Sequence, residues 1–442
     1  MNEGLFKIKV HNSSVKTEVI AGFTTFLATM YIIVVNPDIL SDAGMSFSAV
    51  LTATILVSAF SSIAMGLYAN NPIVVAPGMG LNAFFTYSVV LGMDVSWQTA
   101  LGAVFWSGII FILLSVFNVR TAIVQAIPKQ LRYAIASGIG LFIATIGFIN
   151  ANFIVSDPAT VIGLGALNSI TMTFLAGLAI TAILVVLRVR GALILGIAMT
   201  TILAIPIGRL WGDASAVSPS GATTLVTWGG VISAPDFSVF LQLDLLGSLQ
   251  LSIWPVIFSF LFTDMFDSLS TFIGVAEAAN LLDEKGEPRH IKQSLIVDGF
   301  STAISGLFGT SSGTSYIESA TGIEEGGRTG LTAVVAGLLF LPFMFFSPLL
   351  SIVPAIATAP ALVLVGVFMM RPVQKINWTQ MDDAIPALLA LLLIPLTYSI
   401  TQGIVWGFLS WTVIKLLTGR FQDISVTLLI IDVFAILALI FR

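Results

Sequence analysis

The chain has 442 residues, of which 57% are hydrophobic and only 9% charged, and its mean hydropathy is +1.02; that composition settles the class as a polytopic membrane protein. The net charge of −5 comes from few and dispersed charges, which gives no basis for a nucleic-acid surface. With no Cys, a disulfide framework, a thiolate nucleophile and a Cys-ligated metal are all excluded. No cofactor or metal is expected.

The first sixteen residues, MNEGLFKIKVHNSSVK, are polar and basic without a cleavage site, so the first apolar run reads as a retained span. That span covers residues 17 to 35 and stops at Asn36-Pro37-Asp38; the second covers 49 to 67. The third differs, because a β-branched stretch at 73 to 76 meets Pro77-Gly78-Met79-Gly80 before an apolar half-length run at 81 to 91. Such an interruption predicts a discontinuous span with Gly78 and Gly80 in a structural role. Runs at about 99–117, 131–149, 169–187 and 191–208 complete seven crossings, and a Ser/Thr/Gly/Pro-rich loop follows from 211 to about 246.

Beyond the loop, 252–276 is the eighth span, and within it SFLFTDMFDSLSTFIGVAEAAN (259–280) places Asp264 and Asp267 three residues apart in an apolar run. That spacing puts both on one helix face. Carboxylates at membrane depth cost several kcal/mol unless they line a polar cavity, a substrate path or a proton relay. The ninth span, 291–308, holds Asp298, expected to be structural through bonds to the backbone of the next break. GTSSGTSYIE at 309–318 is too polar to face lipid and is read as a broken tenth span, with Gly313 structural. Runs at 329–346, 355–370, 384–398 and 401–418 bring the count to fourteen; 424–441 is surplus and is left open between spanning and lying at the interface.

Charge tests this count, since Lys and Arg gather in short cytoplasmic loops. Sixteen of the eighteen Lys and Arg fall on the side of the N-terminus, with Arg209 and Arg442 elsewhere. The N-terminus is therefore expected in the cytoplasm and the 211–246 loop outside. Seven spans on each side of the loop, starting from opposite sides, make an inverted repeat. Asn82 and Glu318 lie 236 residues apart just past the two breaks, and Gly140-Leu141-Phe142 resembles Gly366-Val367-Phe368 at an offset of 226. The fold class is thus an all-α polytopic protein of fourteen spans in two inverted seven-span repeats, spans three and ten broken by short β-strands. Irregular backbone at that depth needs partners, and two short strands from opposite repeats can supply each other. Asn82, Glu318, Asp264 and Asp267 would converge there, at the positive ends of two half-helices.

NPIVVAPGMGLNAFF, PKQLRYAIASGIGLFIATIG, FTDMFDSLSTFIG and SYIESATGIEEGGRTG in spans three, five, eight and ten resemble the adenine/guanine/hypoxanthine (AzgA-like) purine permeases of the nucleobase/ascorbate transporter superfamily. The resemblance implies core elements at 1–118 (spans one to four) and 250–347 (eight to eleven). It implies gate elements at 119–249 and 348–442, with core moving against gate like an elevator. It further implies Asp264 and Glu318 as principal substrate carboxylates, Asp267 and Asn82 as further polar positions, backbone contacts from Tyr316 and Ile317, and Ala28 against the ring. Related uracil carriers have a His one turn after the span-eight carboxylate, where this chain has Ser268.

A carboxylate reads the N–H edge of guanine or hypoxanthine as an acceptor, and one buried acid that titrates suffices for proton symport. The expected partners are therefore a purine nucleobase and a proton within a lipid bilayer, with Glu318 holding the base and Asp264 carrying the proton; whether two copies associate is left open. An intramembrane aspartyl protease would need its two Asp on different helices. An anion or other small-solute carrier on the same fold is the alternative, and an anion site would place basic residues where this chain has acids.

Overall fold

A computed structural model describes residues 5–117, 127–215, 222–279 and 288–440. Arg120, Lys285 and Arg442, used in the charge count, and Ser218 in the external loop lie outside the described residues.

Helix α1 (Val15–Thr29) begins where the Ser14 side chain accepts the Thr17 N–H at 3.1 Å, a standard N-cap. It breaks at Met30-Tyr31 and resumes as α2 (Ile32–Ser41), which contains Pro37. Helix α3 (Phe47–Ala64) runs on through a π-turn, Met65–Ala69, and stops at Asn70 in the left-handed region. Strand β1 (Val75–Pro77), α4 (Met79–Ala83) with a π-helical extension to Val90, α5 (Trp97–Val116) and α6 (Lys129–Asn150) follow.

Next is an antiparallel hairpin the sequence reading treated as loop, β2 (Ile154–Asp157) with β3 (Val161–Leu164). β-Branched residues flank Asp157-Pro158-Ala159-Thr160, and the Asp157 carboxylate accepts the N–H groups of Ala159 and Thr160 at 2.8 and 3.0 Å, which holds that carboxyl below its ordinary range. Helices α7 (Ser169–Val186) and α8 (Ala192–Ala204) complete the part before the long loop. Helix α8 is shorter than the 191–208 run because Pro206 and Gly208 follow it.

After the loop come α9 (Trp254–Ala279), α10 (Ile291–Phe308), β4 (Gly313–Ser315), α11 (Ala320–Glu324), α12 (Gly330–Phe340) and α13 (Ser347–Leu350). Helices α14 (Ala355–Met369), α15 (Met381–Leu396), α16 (Ile400–Leu417) and α17 (Val426–Ile440) end the chain. Among the described residues eight helical segments are long and apolar enough to cross a bilayer, and Met79–Val90, Ala192–Ala204 and Gly330–Phe345 are shorter apolar helices. The chain is a predominantly helical membrane protein.

Packing sorts the helices. Helix α5 lies on α10, and α1 and α3 lie on α12; α6 lies on α14 and α15, α7 on α8, and α16 on α15. Helix α9 touches α5 and α10 on one side and α6, α16 and α17 on another. The two glycines paired by the repeat face one another across the α6–α14 contact. A Cβ on Gly140 would lie 2.7 Å from Gly366 O, and one on Gly366 would lie 2.5 Å from Gly140 O. Only glycine permits that backbone approach.

Candidate functional site

The site is built on a two-stranded ribbon, β1 antiparallel to β4, with Val75 opposite Ser315, Ala76 opposite Thr314 and Pro77 opposite Gly313. All six residues are buried, so every outward-facing N–H and C=O needs a partner. The ladder continues at both ends, where the Tyr316 N–H donates to Val74 O and the Gly78 N–H to Ser312 O, each at 2.9 Å. Along one edge, Ser62 of α3 takes the Val75 N–H at 3.0 Å and donates to Val75 O at 3.1 Å. On the other edge Thr302 Oγ1 of α10 lies 3.0 Å from Gly313 O, and Ser268 of α9 takes the Ser315 N–H at 3.5 Å. Pro77 has no N–H to place, and its carbonyl accepts the Tyr316 hydroxyl at 2.5 Å.

Beside this ribbon is a small cavity that opens to the outside. Its polar lining includes Tyr31, Asp267, Thr314 and Glu318, and Val365, Phe368 and Met369 of α14 supply apolar lining. Glu318 belongs to a single 3-10 turn, Ile317–Ser319, and only the five-residue α11 follows, a shorter helix than the half-span predicted there. What fixes Glu318 is the Tyr31 hydroxyl, which donates to Oε1 at 2.9 Å. Tyr31 is 1% exposed and its ring centroid lies 6.4 Å from that of Tyr316.

The residues singled out in the sequence divide. Asp267, Glu318, Tyr316, Ile317 and Gly78 line the cavity. Asp264 does not; it is fully buried behind the ribbon, with Oδ2 hydrogen-bonded to Thr302 Oγ1. Asn82 is also off the cavity, its Oδ1 accepting the Ser311 hydroxyl and so tying α4 to the turn before β4. Ala28 is half-buried on α1 and outside the wall, where Tyr31 stands instead. Asp298 accepts the Ser315 hydroxyl at 3.0 Å and thus touches β4 through a side chain. Gly313 and Gly80 sit at close approaches, since a Cβ would lie 2.0 Å from Ser301 Oγ and 2.4 Å from Ile139 Cγ2 respectively.

Tyr31, Thr271 and the α14 wall were not anticipated. For Tyr31 a signal existed, one phenol beside the apolar run Ile32-Ile33-Val34-Val35. The cavity lining thus combines two carboxylates and a phenol with apolar α14 side chains. That combination suits a flat molecule with an apolar face and N–H groups along its edge.

Comparison with known proteins agrees with this architecture. The chain is 45% identical over 444 residues to the adenine permease AdeP of Escherichia coli strain K12, covering 100% of this chain and 96% of that protein. It is 42% identical over 439 residues to the guanine/hypoxanthine permease PbuO of Bacillus subtilis strain 168, covering 98% of each. The transmembrane domain of the cyanobacterial bicarbonate transporter BicA has a similar fold, with a TM-score of 0.63 at 16% identity over 89% of this chain and 97% of that one. Residues 16–406 match the Permease family, Xan_ur_permease; with its apolar helices, the chain belongs to that family and is a multi-pass membrane permease.

Proposed function

We propose that the protein imports purine nucleobases by proton symport, with hypoxanthine and guanine ahead of adenine. The observation that carries this reading is the cavity itself, which is lined by Glu318 and Asp267 together with apolar Phe368 and Met369. A base plane would lie against the α14 side chains while its N–H edge meets the carboxylates, the strong form of hydrogen bond for such an edge. Hypoxanthine and guanine carry ring N–H donors that match carboxylate acceptors; adenine sets an amino donor beside a ring acceptor. A small anion is disfavoured by two acids in the wall. Relatives named for adenine and for guanine/hypoxanthine transport support the substrate class.

Fourteen spans in two inverted repeats remain the topology proposed, with β1 and β4 as the interruptions of spans three and ten. The domain division is supported by packing, since α1, α3, α5, α10 and α12 group around the ribbon while α6, α7, α8, α14, α15 and α16 pack together. The cavity lies between these groups, so sliding one past the other would carry the base across. Asp264, enclosed behind the ribbon, serves the proton. The protein is placed in the plasma membrane with its N-terminus in the cytoplasm.

Competition against labelled hypoxanthine in vesicles with an imposed pH gradient tests the substrate. Guanine should compete best, adenine less and uracil poorly; stronger displacement by adenine than by guanine would overturn the order, and strong displacement by uracil the purine assignment. An impermeant thiol reagent tests the orientation in a chain with no native Cys. On intact cells it should label Ser218→Cys and spare Lys285→Cys, and the reverse pattern inverts the topology.

A further inference from the structure

We infer that Thr302 is a positioning residue that couples the protonation of Asp264 to the ribbon of the substrate cavity. This rests on the proton-symport reading above and deepens it. A threonine hydroxyl has one hydrogen to donate, yet Thr302 Oγ1 is hydrogen-bonded to two oxygens, Gly313 O at 3.0 Å and Asp264 Oδ2. Two ionised or carbonyl acceptors cannot both be served by one hydrogen. Gly313 and Pro77 form a non-hydrogen-bonded pair of the ladder, so the Gly313 carbonyl points out of the ribbon, and inside a membrane protein it requires a donor. If Thr302 supplies it, the second bond runs the other way, with Asp264 as a neutral acid donating its O–H to Thr302 Oγ1. The remaining oxygen, Asp264 Oδ1, meets no donor at bonding distance among the described residues; a neutral acid tolerates this where an ionised one does not.

Loss of the proton from Asp264 to water then reverses the chain. Thr302 turns its hydrogen toward the carboxylate, no covalent bond other than the acid O–H breaks, and Gly313 O loses its donor. Gly313 is next to Thr314 and Ser315, which line the cavity, so the ribbon edge at the substrate senses whether Asp264 is charged. The titratable groups around Asp264 are Asp298 of α10 and Asp267 of its own helix, with the Thr314 hydroxyl of β4 also facing it; Glu318, Tyr31 and Tyr316 line the cavity. Thr302 hydrogen-bonds both Gly313 O and Asp264 Oδ2, which makes it the link between them.

Three variants of the full-length purified protein test this: Thr302→Val, which keeps the shape and removes the hydroxyl; Thr302→Ser, which restores it; and Asp264→Asn. Infrared spectroscopy of the substrate-free protein should show a carboxylic-acid C=O band that is absent in Asp264→Asn, shifted in Thr302→Val and unshifted in Thr302→Ser. In proteoliposomes, Thr302→Val should keep hypoxanthine exchange at equal pH and lose accumulation driven by a pH gradient, with Thr302→Ser recovering it. A band unchanged in Thr302→Val, or no acid band assignable to Asp264, overturns the relay. So does gradient-driven accumulation by Thr302→Val equal to that of the wild type. Failure of the wild type to take up any purine refutes the transport reading instead, and the infrared arm, which needs no substrate, then decides the relay by itself.

Discussion

Replacing Glu318 by Gln should weaken purine binding to the detergent-solubilised protein roughly 5- to 150-fold, the equivalent of about 1 to 3 kcal/mol for exchanging a charged acceptor for a mismatched amide. The geometry makes the direction specific. The Tyr31 hydroxyl donates to Glu318 Oε1 at 2.9 Å, and in the variant it selects the rotamer that places the amide oxygen there. The NH2 group is then turned toward the cavity, where a ring N–H of the base would meet a donor instead of a carboxylate oxygen. Donor facing donor is worse than a lost bond, because neither hydrogen then meets an acceptor on the other group. Isothermal calorimetry with hypoxanthine reads the loss, and thermal unfolding of the same sample separates it from misfolding. A dissociation constant within about twofold of the wild type, less than half a kcal/mol, would show that Glu318 does not hold the base.

How far the sequence reaches can be judged from particular residues. The ribbon positions followed from chemistry: β-branched residues before Pro77-Gly78, and Gly313-Thr314-Ser315 too polar for lipid, are both visible in one dimension. The ninth run, 291–308, coincides with Ile291–Phe308 because a turn with His290 in the left-handed region and Gly309 beyond the end bracket it. The hairpin at 154–164 is composed of residues equally at home in an external loop, and pairing between its arms decided it. Within the site, Asp264 and Asp267 share a helix face only in the broad sense. Three residues of α-helix turn through about 300°, leaving the two some 60° apart, and the packing of Thr302 against one of them selects which faces the cavity. Periodicity has no access to that choice. Tyr31 was hidden by the break between α1 and α2, which disturbs helical phase just there. The α14 wall was hidden for the opposite reason, since its sequence AIATAPALVLVGVFM is apolar on every side and nothing marks the face that lines the cavity.

Asp264→Asn should bind hypoxanthine within a few-fold of the wild type and exchange it across the membrane, yet fail to accumulate it against a gradient. The carboxylate is fully buried and outside the cavity wall, so replacing it removes no contact with the base. Asn keeps the volume, can donate its NH2 to Thr302 Oγ1 as a neutral acid would, and stands permanently for the protonated form. The ribbon should therefore be preserved while the titration is abolished. Under the proposed symport, one proton moving through 100 mV supplies about 2.3 kcal/mol, enough for roughly fiftyfold accumulation of a neutral base. In the variant no proton accompanies the base, and the internal concentration should stop at the external one. The contrast with Glu318→Gln is in the quantity lost, binding there and energetic coupling here, so the same two measurements on both variants assign the roles separately. Uptake by Asp264→Asn that still concentrates hypoxanthine in vesicles with a pH gradient would move the proton to another acid. Asp267, one helical turn away and in the cavity wall, is then the position to replace.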